Sequence, residues 1–225
     1  MNHADIRFDS IESAIEDFKK GKALVVVDDE DRDNEGNLII AGSLITNDVM
    51  NFMMKNTTGV ISVPMLTEDL DRLEVHPVTI AKENEKTNSL AVSVSASKAK
   101  GSKNSAEDLC TTIKVLADRN SKSKDLVQPG SVFPLRAAQG GVLRRAGHTE
   151  AGVDLAKLAG LNCVAVLAEL IEENKSIRKF DSSYKFAKEN TMTPIQDRDF
   201  NKKLEVMGFE RKQKKLSGSN IYSWI

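Results

Sequence analysis

Cysteine is scarce in this chain of 225 residues: Cys110 and Cys163 are the only two, and both sit in apolar-periodic segments. That excludes a disulfide scaffold or a cysteine-built metal cluster. It points instead to free thiols in a reducing compartment, expected to be the cytoplasm. Glycine (13) and proline (5) are too few and too irregular for a collagen-like or low-complexity chain. Coiled coil and disorder are excluded as well, because an ordinary 40% of residues are hydrophobic and no residue type dominates. Neither charge is in excess, since 32 Lys and Arg face 33 Asp and Glu. No global basic field exists to hold nucleic acid or an anionic membrane, so neither is an expected partner. Long apolar runs are missing too. The longest, 161–171, is interrupted by Asn162 and Glu169 and is too short to span a bilayer. The first residues, Met-Asn-His-Ala-Asp-Ile-Arg-Phe, lack the apolar stretch of a signal peptide.

What is present reads as one domain over residues 1–225, with a tail from about Lys188 whose pattern is not legible. Ile11, Ala14, Ile15 and Phe18 fall at helical spacing, Ser10 or Asp9 can cap that helix, and Gly21 can end it. Residues 23–27 (Ala-Leu-Val-Val-Val) form a β-branched run typical of a buried strand, and a second apolar run covers 38–41. Further helices are predicted at 47–55, 67–72, 106–118, 150–159 and 182–188, and strands at 60–63, 90–94 and 163–167. Segments 97–105 and 119–124, rich in lysine, serine, glycine or asparagine, read as loops. The irregular alternation of strands and helices predicts a mixed α+β architecture rather than a regular parallel repeat.

Two segments carry chemistry. Residues 28–35 place six carboxylates within eight positions, directly after a buried strand. Like charges packed so closely need water or a cation to disperse them, and oxygen-rich clusters suit hard ions such as Mg²⁺ or Mn²⁺. An EF-hand loop fits the opening Asp31-x-Asp33-x-Glu35-Gly36, but its twelfth position is Gly42 in place of the required glutamate, which excludes it. The second segment runs from Phe133-Pro134-Leu135-Arg136 through Gly140-Gly141 and Arg144-Arg145 to Ala146-Gly147-His148-Thr149-Glu150. Glycines and arginines lead into a helix start that Thr149 can cap, and a helix N-terminus beside guanidinium groups binds phosphate. His148 lies at that junction. Of the other histidines, His76 precedes Pro77 and reads as structural, while His3 lies near the terminus. Glu169 closes the apolar run from Cys163, where a carboxylate can line a cleft. Together these residues suggest a metal held by carboxylate and imidazole beside an anion site, suited to a sugar phosphate.

The acidic loop resembles the DDEDRENEGD signature of the 3,4-dihydroxy-2-butanone 4-phosphate synthase family of riboflavin biosynthesis. Phe133-Pro-Leu-Arg and Gly140-Gly-Val-Leu-Arg-Arg-Ala-Gly-His-Thr-Glu resemble its second signature. The resemblance runs from about residue 5 to about 170. It implies a single α+β domain with a mixed sheet flanked by helices, a homodimer, and a length that suits a synthase without a fused cyclohydrolase domain. It also implies conversion of D-ribulose 5-phosphate to L-3,4-dihydroxy-2-butanone 4-phosphate and formate with Mg²⁺ or Mn²⁺. In that reaction proton abstraction gives an enediol, the carbon-1 hydroxyl leaves as water, the skeleton rearranges and carbon 4 departs as formate. Carried over, Asp33 and His148 would hold the metal. Arg32, Asn37, Arg145, Ala146, Gly147, Thr149 and Glu169 would contact the substrate. Glu35, Glu169, His148 and Asp33 would form the catalytic set.

The chain also departs from the family pattern. Asp33 stands in place of a glutamate and Asn37 in place of an aspartate. Gln128-Pro129-Gly130-Ser131 replaces Arg-Pro-Gly-His, Ser95 replaces an aspartate, and the Lys100 to Ser105 stretch replaces a Thr-Thr-Gly-Ile-Ser loop. These departures leave room for a paralogue acting on a related sugar phosphate, or for a non-catalytic homologue.

Overall fold

The first helix, α1 (Ile11–Lys19), forms as its spacing predicts. Ser10 caps it, its hydroxyl oxygen accepting the Ser13 N–H at 3.1 Å, and Ile11, Ala14 and Phe18 are buried. The chain turns at Gly21, whose φ of +76° costs glycine little. The structure, a computed structural model, describes residues 7–28, 34–78, 90–99, 104–206, 214–216 and 219–221. Strand β1 (Leu24–Val27) follows, buried throughout. After it come β2 (Gly36–Ala41), α2 (Asn47–Asn56), β3 (Ser62–Met65), α3 (Thr67–Arg72), β4 (Val94–Ala96) and α4 (Ala106–Ala117). Next are β5 (Leu126–Arg136), α5 (His148–Leu158), β6 (Ala165–Glu169), α6 (Phe180–Glu189), β7 (Thr193–Gln196) and α7 (Asp197–Val206). A short hairpin, β8 (Lys214–Leu216) and β9 (Ser219–Ile221), comes last.

Seven strands form one sheet in the order β4-β5-β3-β6-β2-β1-β7. It is mixed: β1 runs parallel to β7 and β3 to β5, while β1–β2, β2–β6, β3–β6 and β4–β5 are antiparallel. Alternate side chains leave opposite faces. Val25, Val27, Leu38 and Ile40 therefore join α2, α3, α4 and α6 through Met50, Leu70, Ile113 and Phe186. On the other face, Leu24, Val26, Ile39 and Ala41 join α1, α5 and α7 through Phe18, Leu155 and Phe200. The result is a single domain with helices on both faces of a mixed sheet, as expected from the sequence.

Several boundaries differ from the sequence reading. Strands predicted at 60–63 and 163–167 lie two residues later, at β3 and β6. The strand predicted at 90–94 begins only at Val94. Leu90 and Ala91 make single bridges, to Leu135 and Pro77. β5 is not legible in the sequence, because Gln128-Pro129-Gly130 interrupts it and its burial does not alternate. Residues beyond Lys188 contribute to the main body. Thr193–Gln196 pair with β1, and Phe200 and Leu204 are fully buried. α5 starts two residues earlier than predicted. Its N-cap is Gly147, so Thr149 lies inside the first turn, buried, and does not cap it.

Candidate active site

Register gathers the polar residues at one end of the sheet. Val26 pairs with Asn37, and Asn37 pairs with Glu169, so Asn37 sits in the middle of three adjacent strands. By alternation Asp28, Glu35, Asn37 and Glu169 share the face that carries Leu24, Val26, Ile39 and Leu167, which is the α5 face. His148, the first residue of α5, stands over them. Its Nδ1 lies 2.7 Å from Asn37 Nδ2, and its Nε2 lies 3.6 Å from an Asp28 carboxylate oxygen. Asp28 (4% exposed) and Asn37 (3%) are buried. Asp28 N–H donates to the Glu35 carbonyl at 3.0 Å, which closes the acidic loop at its base.

Glu169 is half-buried at the end of β6. Burial raises its carboxyl above the usual range, and the Glu35 charge raises it further. Glu35 itself is held by Lys179, whose ammonium donates to its carboxylate at 3.0 Å. A carboxyl raised above its ordinary value beside a second carboxylate is suited to hold or move a proton.

The approach to His148 is set by two buried carboxylates one turn apart on α5. Glu150 accepts the Ala138 N–H at 2.8 Å, and Asp154 accepts the Val142 N–H at 2.8 Å. Between them runs the turn Gly140-Gly141. Gly141 has φ +60°, and a Cβ there would lie 2.1 Å from an Asp154 oxygen, so only glycine fits. Burial pushes the Asp154 carboxyl up to about 7, opposed by the Val142 N–H and Lys157. The exposed Arg145 reaches back toward Glu150 at 3.5 Å, and Ala146 and Gly147 lead directly into the helix. Arg145, the N–H groups of the first helical turn and Thr149 thus line an anion seat beside His148.

Of the expected site residues, Glu35, Asn37, His148, Thr149 and Glu169 come together, with Arg145, Ala146 and Gly147 at their edge. Arg32 and Asp33 lie outside the described residues. The Gln128 to Ser131 stretch lies elsewhere, against β4: Gln128 donates to the Glu74 carbonyl, and the Ser131 N–H donates to Ser95 Oγ at 3.0 Å. Asp28 does not stand out in the sequence. Counting two residues from Val26 in β1 assigns it to the same face as Asn37. Glu150 and Asp154 escape sequence reasoning as well, although two acids four residues apart on an otherwise apolar helix face are the available signal.

Among the described residues, no group of three or more His, Cys, Asp or Glu side chains is arranged to hold a metal ion. A divalent cation nevertheless fits what is present. A buried carboxylate and an imidazole nitrogen face one another at the base of an acidic loop, and the buried Asn37 Oδ1 has no hydrogen-bond partner. Hard oxygens with one histidine nitrogen suit Mg²⁺ or Mn²⁺.

Residues 12–202 match the family model for 3,4-dihydroxy-2-butanone 4-phosphate synthase. The chain belongs to this synthase family. It is 45% identical over 211 residues to the Arabidopsis thaliana chloroplastic protein named monofunctional riboflavin biosynthesis protein RIBA 2, a match covering 93% of this chain and 43% of that protein. It is 48% identical over 167 residues to the Nocardia farcinica protein named riboflavin biosynthesis protein RibBA, covering 74% of this chain and 40% of that one. The chain thus spans about two fifths of the length of these relatives. Among solved structures, a family synthase in complex with two magnesium ions superposes with a TM-score of 0.82 at 33% identity, covering 89% of this chain and 99% of that one. The Candida albicans synthase superposes at 0.81 with 34% identity, covering 88% and 99%. Among the described residues no helix is long and apolar enough to cross a membrane.

Proposed function

We propose that the chain is a metal-dependent carbon–carbon lyase that converts D-ribulose 5-phosphate to L-3,4-dihydroxy-2-butanone 4-phosphate and formate for riboflavin biosynthesis. The observation that carries this reading is the row Asp28–His148–Asn37, with Asp28 and Asn37 buried and the raised Glu169 beside it, at the N-terminus of α5. The two products together have the elemental composition of the substrate, the water lost at carbon 1 being balanced by one water taken up when carbon 4 departs as formate. The conversion therefore needs proton transfers and an electrophile, but no oxidant or reductant.

His148 and Asp33 would hold Mg²⁺ or Mn²⁺, and Asp28 would add a carboxylate to the pair expected from the sequence. Bound there, the cation would supply Lewis acidity toward the substrate oxygens. Glu169, its carboxyl raised by burial and further by the Glu35 charge, moves protons at the reacting carbons, and Lys179 steadies Glu35. Arg145, Ala146, Gly147 and Thr149 seat the phosphate at the helix N-terminus, and Arg32 contributes from the acidic loop. Asn37 borders the substrate while holding His148. The functional unit is a homodimer with a small-molecule substrate and no nucleic-acid or membrane partner. Residues 1–225 act as one domain, and its two free thiols suit a cytoplasmic setting.

A second reading is favoured by Asp33 and Asn37, which stand where the family signature has a longer and a charged side chain: a paralogue that takes a related pentose or tetrose phosphate. One assay separates the two. Formate release from D-ribulose 5-phosphate with Mg²⁺ or Mn²⁺, abolished by EDTA, is the expected result. A folded, metal-loaded protein that releases none, yet turns over another sugar phosphate, would favour the paralogue.

A further inference from the structure

The two ring nitrogens of His148 face different partners. Nδ1 lies 2.7 Å from the Asn37 amide nitrogen, while Nε2 looks toward Asp28 at 3.6 Å. An amide NH₂ only donates, so Nδ1 is the acceptor here, and in a neutral imidazole the proton then sits on Nε2. A cation beside Asp28 requires the reverse: a lone pair on Nε2, with the proton on Nδ1 given to an acceptor. Asn37 carries that acceptor. Its Oδ1 is buried without a hydrogen-bond partner, and a half-turn of the terminal amide would bring it to the place Nδ2 now occupies. The Asn37 backbone is fixed between Val26 and Glu169, so the change is confined to the end of the side chain.

We propose that Asn37 is a positioning residue that sets the tautomer of His148, and that cation binding is coupled to a half-turn of its amide. This rests on the metal-dependent reading above. A carboxylate at position 37 can only accept, so it would hold the metal-ready tautomer before any ion arrives. The Asn37 amide makes metal capture conditional on its own reorientation, which weakens binding without removing a ligand.

The test is long-range ¹H–¹⁵N correlation spectroscopy on the full chain with ¹⁵N-labelled histidine at a pH where imidazole is neutral. His148 is assigned by the signal lost in His148→Gln. Without metal, His148 should carry its proton on Nε2, and saturating Mg²⁺ should move it to Nδ1. Asn37→Asp should show the Nδ1-protonated form before Mg²⁺ is added. It should also bind Mn²⁺, read by water-proton relaxation, about tenfold more tightly, the usual scale for partners of a metal-bound histidine. A wild-type protein already protonated on Nδ1 without metal would overturn the proposal, as would an Asn37→Asp variant with the wild-type tautomer. An unchanged His148 in a protein that releases formate under Mg²⁺ would overturn the role of Asn37 alone. Failure of Mg²⁺ to shift any resonance, together with no formate, would overturn the metal-dependent reading as well.

Discussion

Asp154→Asn should remove a pH dependence of stability that the wild-type protein carries between about pH 4 and pH 7. The side chain is 2% exposed, and burial raises its carboxyl from 3.8 to about 7 despite the bond from Val142 N–H. A carboxyl raised in the folded state is fully compatible with folding below its unfolded pKa. Its contribution is lost as pH rises toward the folded value, because the unfolded chain gives up the proton first. A rise of this size corresponds to roughly 4 kcal/mol lost by pH 8, of which roughly 1.5 kcal/mol is already lost at pH 5. Asparagine keeps an acceptor for the Val142 N–H and does not titrate. Its amide nitrogen costs about 1–3 kcal/mol if it finds no partner, but that cost is the same at both pH values. Urea unfolding of both proteins at pH 5 and pH 8 isolates the effect. The variant should gain roughly 2.5 kcal/mol on wild type between those pH values, whatever its absolute stability. A wild-type-to-variant difference that does not change with pH would refute the assignment of Asp154 as a buried, raised carboxyl.

Other outcomes follow from the same geometry. His148→Ala should abolish metal-dependent turnover and weaken Mn²⁺ binding, with the thermal transition little changed; calorimetry with the activity assay checks both. Glu169→Gln should lower kcat about 10²–10⁴-fold with a smaller change in KM. It should also remove the acidic limb of the pH–rate profile, because the raised Glu169 carboxyl loses its basic form as pH falls through its pKa. Gly141→Ala should destabilise by at least about 1–2 kcal/mol, the cost of a left-handed non-glycine residue, and more for the clash with Asp154; denaturant midpoints measure it. Asp33→Glu combined with Asn37→Asp should raise formate release if the two positions merely weaken a synthase site. A flat result would favour the paralogue.

β1 and β2 are legible because residues 24–27 and 38–41 are apolar runs pinned on either side of an acidic loop, and α1 because Ser10, Phe18 and Gly21 mark its ends. β5 is not, since a Pro-Gly pair in mid-strand reads as a turn. Its pairing with β3 and β4 is decided by partners far away in the chain. The tail beyond Lys188 is obscured by the charged surface of α7, whose buried residues Phe200 and Leu204 are too few to set a pattern. For the site, residue chemistry points to His148 and Glu169, whereas Glu35 and Asn37 follow from the resemblance of the acidic loop to the family signature. The 2.7 Å contact between positions 37 and 148 instead depends on strand register, which no local spacing encodes. Asp28 escapes notice because five other carboxylates crowd the same loop. Only the parity of β1 separates it from them.

The most direct measurement of the central claim is ¹³C NMR of the products formed from D-ribulose 5-phosphate labelled at carbon 4, with Mg²⁺ present. The account predicts that the label appears as formate and is absent from the four-carbon phosphate, and that EDTA stops its release. Label retained in a sugar phosphate, or formate arising from another carbon, would contradict it.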